Sequence, residues 1–154
     1  MILEDSVRID APAQAVWDVL LDVDAIAGLM PGVESVTQID ERTFDGTILA
    51  SVGPISGSFA FRARILDSTP PRTMTAEVLG SDSVTRSTVR VDTGFTLDPI
   101  DDGATNLAYR ADVQIQGRLA ILGDMVLRAT AALILEEFAK RLRERVAGDG
   151  ASKN

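Results

Sequence analysis

Apolar and polar residues alternate from Leu3 to Ile9, with Leu3, Asp5, Val7 and Ile9 on one side. That period of two predicts a half-buried strand. The period then lengthens. Val16 and Leu20, like Trp17 and Leu21, are spaced by four, which predicts a short helix. Pro12 suits its first turn, where a missing N–H costs nothing, and Asp10 is the expected cap acceptor. Asp22 or Asp24 is expected to cap a second short helix carrying Ile26, Leu29 and Met30, which Pro31-Gly32 ends. A strand at Val33–Asp40 follows. Five more strands show clear parity, with apolar or small residues on one face, over Thr43 to Val52, Ser58 to Leu66, Met74 to Gly80, Ser87 to Leu97 and Thr105 to Gln116. Turn chemistry separates them at Gly53-Pro54, Thr69-Pro70-Pro71, Gly80-Ser81-Asp82-Ser83 and Asp101-Asp102-Gly103.

From Leu119 the spacing becomes helical again, through Leu122, Val126, Leu133, Ile134, Phe138, Leu142 and Val146. A helix over 119–146 is about 42 Å long at 1.5 Å per residue, enough to cross a whole sheet. Residues 148–154 are predicted to be a frayed, disordered polar tail. The chain therefore predicts one α+β domain over residues 1–147: a curved, seven-stranded antiparallel sheet, two short helices and one long C-terminal helix.

The inward faces of the strands mix bulky residues with small ones: Gly46, Ala50, Ala63, Ala76, Gly80 and Ala111. Small residues on a concave sheet permit either close packing and steep curvature, or empty volume. Dry voids cost stability, so a retained apolar cavity implies an apolar ligand. Spacing alone leaves both readings open.

Composition narrows the chemistry. The 154 residues are enough for a substantial core. With 15 Lys and Arg against 23 Asp and Glu, the formal charge is −8, which argues against nucleic acid as a partner. The basic residues Lys140, Arg141, Arg143 and Arg145 lie near the last helix's C-terminus, where they complement the dipole; a docking patch for a partner or lipid headgroups is the alternative. There is no cysteine and no histidine, so thiolate nucleophiles, serine–histidine triads and histidine- or cysteine-bound metals are excluded. No stretch has the length of a membrane span. The start Met1-Ile2-Leu3-Glu4-Asp5 lacks the features of a secretory leader, so a cytoplasmic location is expected.

Polar candidates are few. Asp5 shares the inward face of the first strand and is the one candidate base; a solvated carboxylate at a sheet end is the alternative. Tyr109 points inward, either as a donor to a ligand oxygen or as a core tyrosine. Asp22 with Asp24, and Asp98 with Asp101 and Asp102, occupy cap and turn positions and lack calcium-loop spacing. Residues 53–57 lack the ending of a phosphate loop.

Several stretches together resemble a known family. They are Ala11-Pro12 to Trp17 with Leu20 and Asp22; Met30-Pro31-Gly32-Val33; Val52-Gly53-Pro54-Ile55 before Phe59; and Gly117-Arg118-Leu119-Ala120-Ile121-Leu122-Gly123. The order of elements resembles the START-like (SRPBCC) helix-grip fold. Within it, the chain is similar to CoxG, the G subunit of carbon monoxide dehydrogenase, over essentially Met1 to Val146. The resemblance implies a non-catalytic accessory of a molybdenum-containing, CO dehydrogenase-type hydroxylase. It also implies a bound quinone such as menaquinone with no covalent cofactor and no metal, and peripheral contact with the inner face of the cell membrane. By parity and fold analogy the ligand would be lined by Trp17, Leu29, Met30, Phe59, Phe61, Ala63, Ala76, Tyr109, Leu122, Val126, Thr130 and Ile134. Its ring would lie near a portal formed by residues 29–32, the Gly53 turn and the start of the last helix. The corner Ser81-Asp82-Ser83-Val84-Thr85 departs from the family in being more polar than the glycine-rich version. Two other readings compete: a START-like cyclase, dehydratase or hydrolase using Asp5 and Tyr109, and an assembly or chaperone factor without a ligand.

Overall fold

The computed structural model describes residues 1–52 and 55–152; the turn expected at Gly53-Pro54 lies outside them, as do Lys153 and Asn154. The element order is β1 (Ile2–Ile9), α1 (Ala13–Leu20), α2 (Val23–Leu29), β2 (Val33–Asp40), β3 (Thr43–Val52), β4 (Ile55–Thr69), β5 (Thr73–Asp82), β6 (Ser87–Asp101), β7 (Ala104–Gln116), a 3-10 turn η1 (Arg118–Leu122) and α3 (Asp124–Ser152). The seven strands form one antiparallel sheet in the order β1-β7-β6-β5-β4-β3-β2. Strands β2 to β7 are a meander, and β1 closes back beside β7. β4 and β6 each have 15 residues and would be about 50 Å long if straight. Register shifts at Ile65/Asp67 and Pro99/Asp101 act as bulges that bend the sheet around the helical layer.

The helices begin and end for local reasons. Asp22 caps α2 by accepting from the Asp24 and Ala25 N–H groups. Asp10 does not cap α1: Pro12 is the N-cap residue and makes no side-chain cap bond, while Asp10 accepts from Arg8 Nε instead. The expected last helix is split. Gly117 and Gly123 bracket η1 with φ of 93° and 84°, and the α-helix starts only at Asp124. At Gly117 a side chain would collide with the Arg86 carbonyl, so glycine is required there on both counts. α3 also runs on to Ser152, into the stretch expected to be a frayed tail. Gly148 and Gly150 lower helix propensity without forbidding it.

Two cores hold the molecule together, one at each end of α3. The larger packs Ile9, Val16, Trp17, Leu20, Leu29 and Leu97 against Leu142 and Val146. The Trp17 ring meets Phe95 edge-on, with centroids 5.7 Å apart, a favourable aromatic geometry. The smaller packs Phe59, Leu119 and Leu127, with Ile48, Ala50, Val89 and Ile115 around them. The apolar stripe of α3 is therefore headed by Leu127. The expected stripe members Val126 and Leu133 are 40% and 66% exposed, because the buried line through Leu127, Phe138 and Leu142 passes beside them.

Candidate functional site

The concave face can be read row by row from the strand register. One row is Ile65, Ala76, Thr93, Ala111 and Leu3; its small residues stand side by side on β5, β6 and β7. The next row toward the larger core is Met74, Phe95, Tyr109 and Asp5. On the other side lies Ala63, Val78, Val91 and Val113. Every one of these side chains is only half-buried, except Asp5, which is exposed. In a solid sheet-on-helix sandwich the middle of the face would be its driest part. Here the driest parts are the two ends. α3 makes its chief approaches to the sheet at β1 and β3, and so spans the central strands like a strap. The result is an apolar trough between two packed ends.

The small inward residues do not all act alike. At Gly46 a side chain would strike the Ser35 carbonyl of the neighbouring strand and the Phe61 ring, 2.6 Å away. Gly46 thus makes room for an aromatic ring and opens no volume. At Gly80 an added side chain would make only ordinary contacts. Ala76, Thr93 and Ala111 therefore define the floor of the trough.

Apart from Met30, the residues singled out by sequence fall into three groups. Trp17 and Leu29 are buried in the larger core, and Tyr109 packs on its rim. Phe59 and Leu122 belong to the smaller core. Phe61, Ala63 and Ala76 lie half-buried on the concave face between them, with Thr130 and Ile134 half-buried on α3 and Val126 on its exposed flank. Met30 is half-buried beside the chain reversal at Gly32, whose carbonyl accepts from the Leu49 N–H. Leu29 and Leu122 are thus in different cores, at opposite ends of the trough. The Gly53 part of the expected portal lies outside the described residues.

A cavity of about 360 Å³ opens at the η1 end, lined by Met1, Val113, Ile115, Ala120, Asp124 and Leu127 among others. Sequence reasoning named none of these as lining. Val113 and Ile115 carried the right parity, but Ala120 and Leu127 are placed by the turn between Gly117 and Gly123, which periodicity does not reveal. A second opening of about 380 Å³ lies on the convex side, among outward residues such as Leu79, Arg90 and Gln114.

The polar corner after β5 is an internal tie. Asp82 is buried and accepts from the Val84 N–H, the Thr85 N–H and Thr85 Oγ1. These bonds hold its carboxyl below the usual carboxylate range, the Val84 bond most, against the opposing effect of burial. Ser87 Oγ, itself reached by Thr85 Oγ1, accepts from the Leu119 N–H at 2.9 Å. The corner thereby anchors η1, and with it the start of the strap. Tyr109 is different: burial, and secondarily the Asp5 charge, push its phenol above the usual range, so it remains a hydrogen-bond donor at neutral pH.

Among the described residues there is no group of carboxylates arranged to hold a metal, and no helix is long and apolar enough to cross a membrane. Asp22 is occupied as a helix cap, and Asp101 accepts the Gly103 N–H.

Solved structures share this architecture. A conserved protein from Geobacillus kaustophilus superposes with a TM-score of 0.90 at 22% identity, covering 96% of each chain. A START superfamily protein from Mycobacterium smegmatis does so with a TM-score of 0.75 at 15% identity, over 96% of this chain and 97% of that one. The Zhui aromatase/cyclase from a Streptomyces species has a TM-score of 0.61 at 19% identity, over 97% and 92%. These likenesses establish a START-like helix-grip fold, which hosts both enzymes and other proteins. Comparison with curated protein sequences returns no match. The family description of CoxG, the G subunit of carbon monoxide dehydrogenase, matches residues 6–147. With that match running from β1 into α3, and with the glycine-bracketed turn and helix-grip fold in place, the chain belongs to the carbon monoxide dehydrogenase CoxG family.

Proposed function

We propose that this protein is a non-catalytic carrier that holds an isoprenoid quinone between α3 and the concave sheet and serves a CO dehydrogenase-type molybdenum hydroxylase. Family membership and the START-like fold support an accessory role built on an apolar ligand. The observation that carries the reading is the trough: an apolar strip left half-buried between two closed cores. An apolar molecule seated there would remove the strip from water, at about 25 cal/mol per Å² of apolar surface. The carrier would meet a membrane surface through its η1 end. Val84, Ile121 and Met125 are 80%, 81% and 85% exposed there, beside Arg86 and Arg118.

The test is organic extraction and native mass spectrometry of the purified protein, alone and after loading with menaquinone. A one-to-one complex is expected, and its occupancy falls in Ala76→Phe or Ala63→Trp, which fill the trough floor and its flank. A protein that is empty and refuses added quinone is an assembly factor instead. Unchanged loading in a folded Ala76→Phe variant would move the ligand away from this face.

The enzyme reading rests on Asp5 and Tyr109 alone. Asp5 is exposed, and its carboxylate accepts the neighbouring Ser6 N–H. That arrangement does not shield a base from solvent, and it favours binding over catalysis.

A further inference from the structure

Asp5 and Tyr109 nonetheless form the one charged and hydroxylated pair on the trough rows. They are direct cross-strand partners, with side chains on the same face and Cβ atoms about 5 Å apart. Asp5 Oδ1 accepts the Ser6 N–H at 2.8 Å. Among the described residues, Asp5 Oδ2 and the Tyr109 hydroxyl have no hydrogen-bond partner. The remaining neighbours on this row and the next are apolar or small: Met74, Phe95, Leu3 and Ala111.

The way α3 is attached leaves this pair accessible. Met1 and Val113 exchange both backbone bonds, each N–H donating to the other's carbonyl. The backbone groups of odd residues on β1 therefore face β7, and those of even residues face the free edge of the sheet. Arg128 donates to the Ile2 carbonyl at 2.8 Å, and Arg143 to the Arg8 carbonyl at 3.2 Å. Both carbonyls are on that free edge. The two arginines pin the helix to the two ends of β1, which also shields an otherwise open edge. Between the pins, at Glu4–Ser6, the edge is uncovered, and Asp5 stands at the rim.

We propose that Asp5 and Tyr109 read the polar end of the bound molecule and select a neutral ligand that donates an O–H: a hydroquinone in preference to its quinone, and an alcohol in preference to a carboxylate. This rests on the carrier reading. A hydroxyl can donate to the Asp5 carboxylate and accept from the Tyr109 O–H at once. A quinone carbonyl can accept from Tyr109 but meets only lone pairs at Asp5. A carboxylate meets like charge. A hydrogen bond to an ionised group is about twice as strong as a neutral one, and exposure at the rim reduces the gain, so the preference is about tenfold. Tighter binding of the reduced form makes the bound quinone a better electron acceptor, by about 30 mV for a tenfold bias in a two-electron couple.

The test is anaerobic equilibrium dialysis of the full chain with decyl-substituted benzoquinone, its hydroquinone, 1-decanol and decanoate. Wild type should bind the hydroquinone about tenfold more tightly than the quinone, and decanol more tightly than decanoate. Asp5→Asn should bring both ratios close to one, by weakening hydroquinone and decanol and relieving the repulsion of decanoate. Tyr109→Phe should weaken hydroquinone and quinone alike. Equal affinity for the two redox forms in wild type, or ratios untouched by Asp5→Asn, overturns the selection while leaving the carrier intact. Failure of all four molecules to bind overturns both.

Discussion

Leu97 and Val91 lie six residues apart on the same strand and the same face, and they should answer truncation very differently. Leu97 is fully buried in the larger core, whereas Val91 is half-buried in the trough. Leu97→Ala removes three carbons. At about 0.8 kcal/mol each plus a cavity contribution, the loss is about 3 kcal/mol. That corresponds to a fall in Tm of about 6–12 °C in a protein of this size. Val91→Ala removes two carbons. In a solid core it would cost about 2 kcal/mol. Bordering an open trough, those methyls have few partners to lose, and the cost should stay below about 1 kcal/mol. Urea unfolding followed by fluorescence reads both, because Trp17 is the single tryptophan and is buried in the larger core. A Val91→Ala loss of about 2 kcal/mol or more, with an unchanged denaturant slope, would show the strip to be packed solid. No open trough would then remain to hold a ligand, and the ligand-free assembly role would gain.

Two further substitutions probe the strap's anchorage. Gly117→Ala should cost more than about 1 kcal/mol, through its positive φ and the collision with the Arg86 carbonyl; Tm and amide exchange at Leu119 measure it, and a neutral result would show that η1 is loosely held. Asp82 has its folded pKa lowered, so its stabilisation is present above the ordinary carboxylate range and is lost as pH falls through the lowered value. Asp82→Asn should therefore be less stable than wild type at pH 7, with the gap closing below about pH 4; parallel urea midpoints across that range would contradict the tie.

Much of the fold was legible because strand parity is a one-dimensional signal. The seven strands and both short helices follow from alternation, spacing by four, and Gly and Pro punctuation. The departures arise where a side chain has two local options. Asp10 binds Arg8 in place of the helix start, a choice between neighbouring partners that spacing does not rank. Gly117 and Gly123 break the last helix before it begins, and the resulting phase puts Leu127, not Val126, on the sheet.

The candidate site was less legible for a related reason. Parity says which residues face the concave side, and it correctly grouped Ala63, Ala76, Tyr109 and Val113 there. It does not say how far the helix stands off. Gly46 and Ala76 look equivalent in the sequence, yet Phe61 fills the space over one while the other floors the trough. Composition and periodicity by themselves determined an acidic, cysteine- and histidine-free sheet with a helix laid across it. Only the tertiary structure decided that the two ends pack and the middle stays open. That depends on where Arg128, Arg143 and the Ser87–Leu119 bond pin the strap, contacts between residues up to 135 positions apart, which no local pattern records.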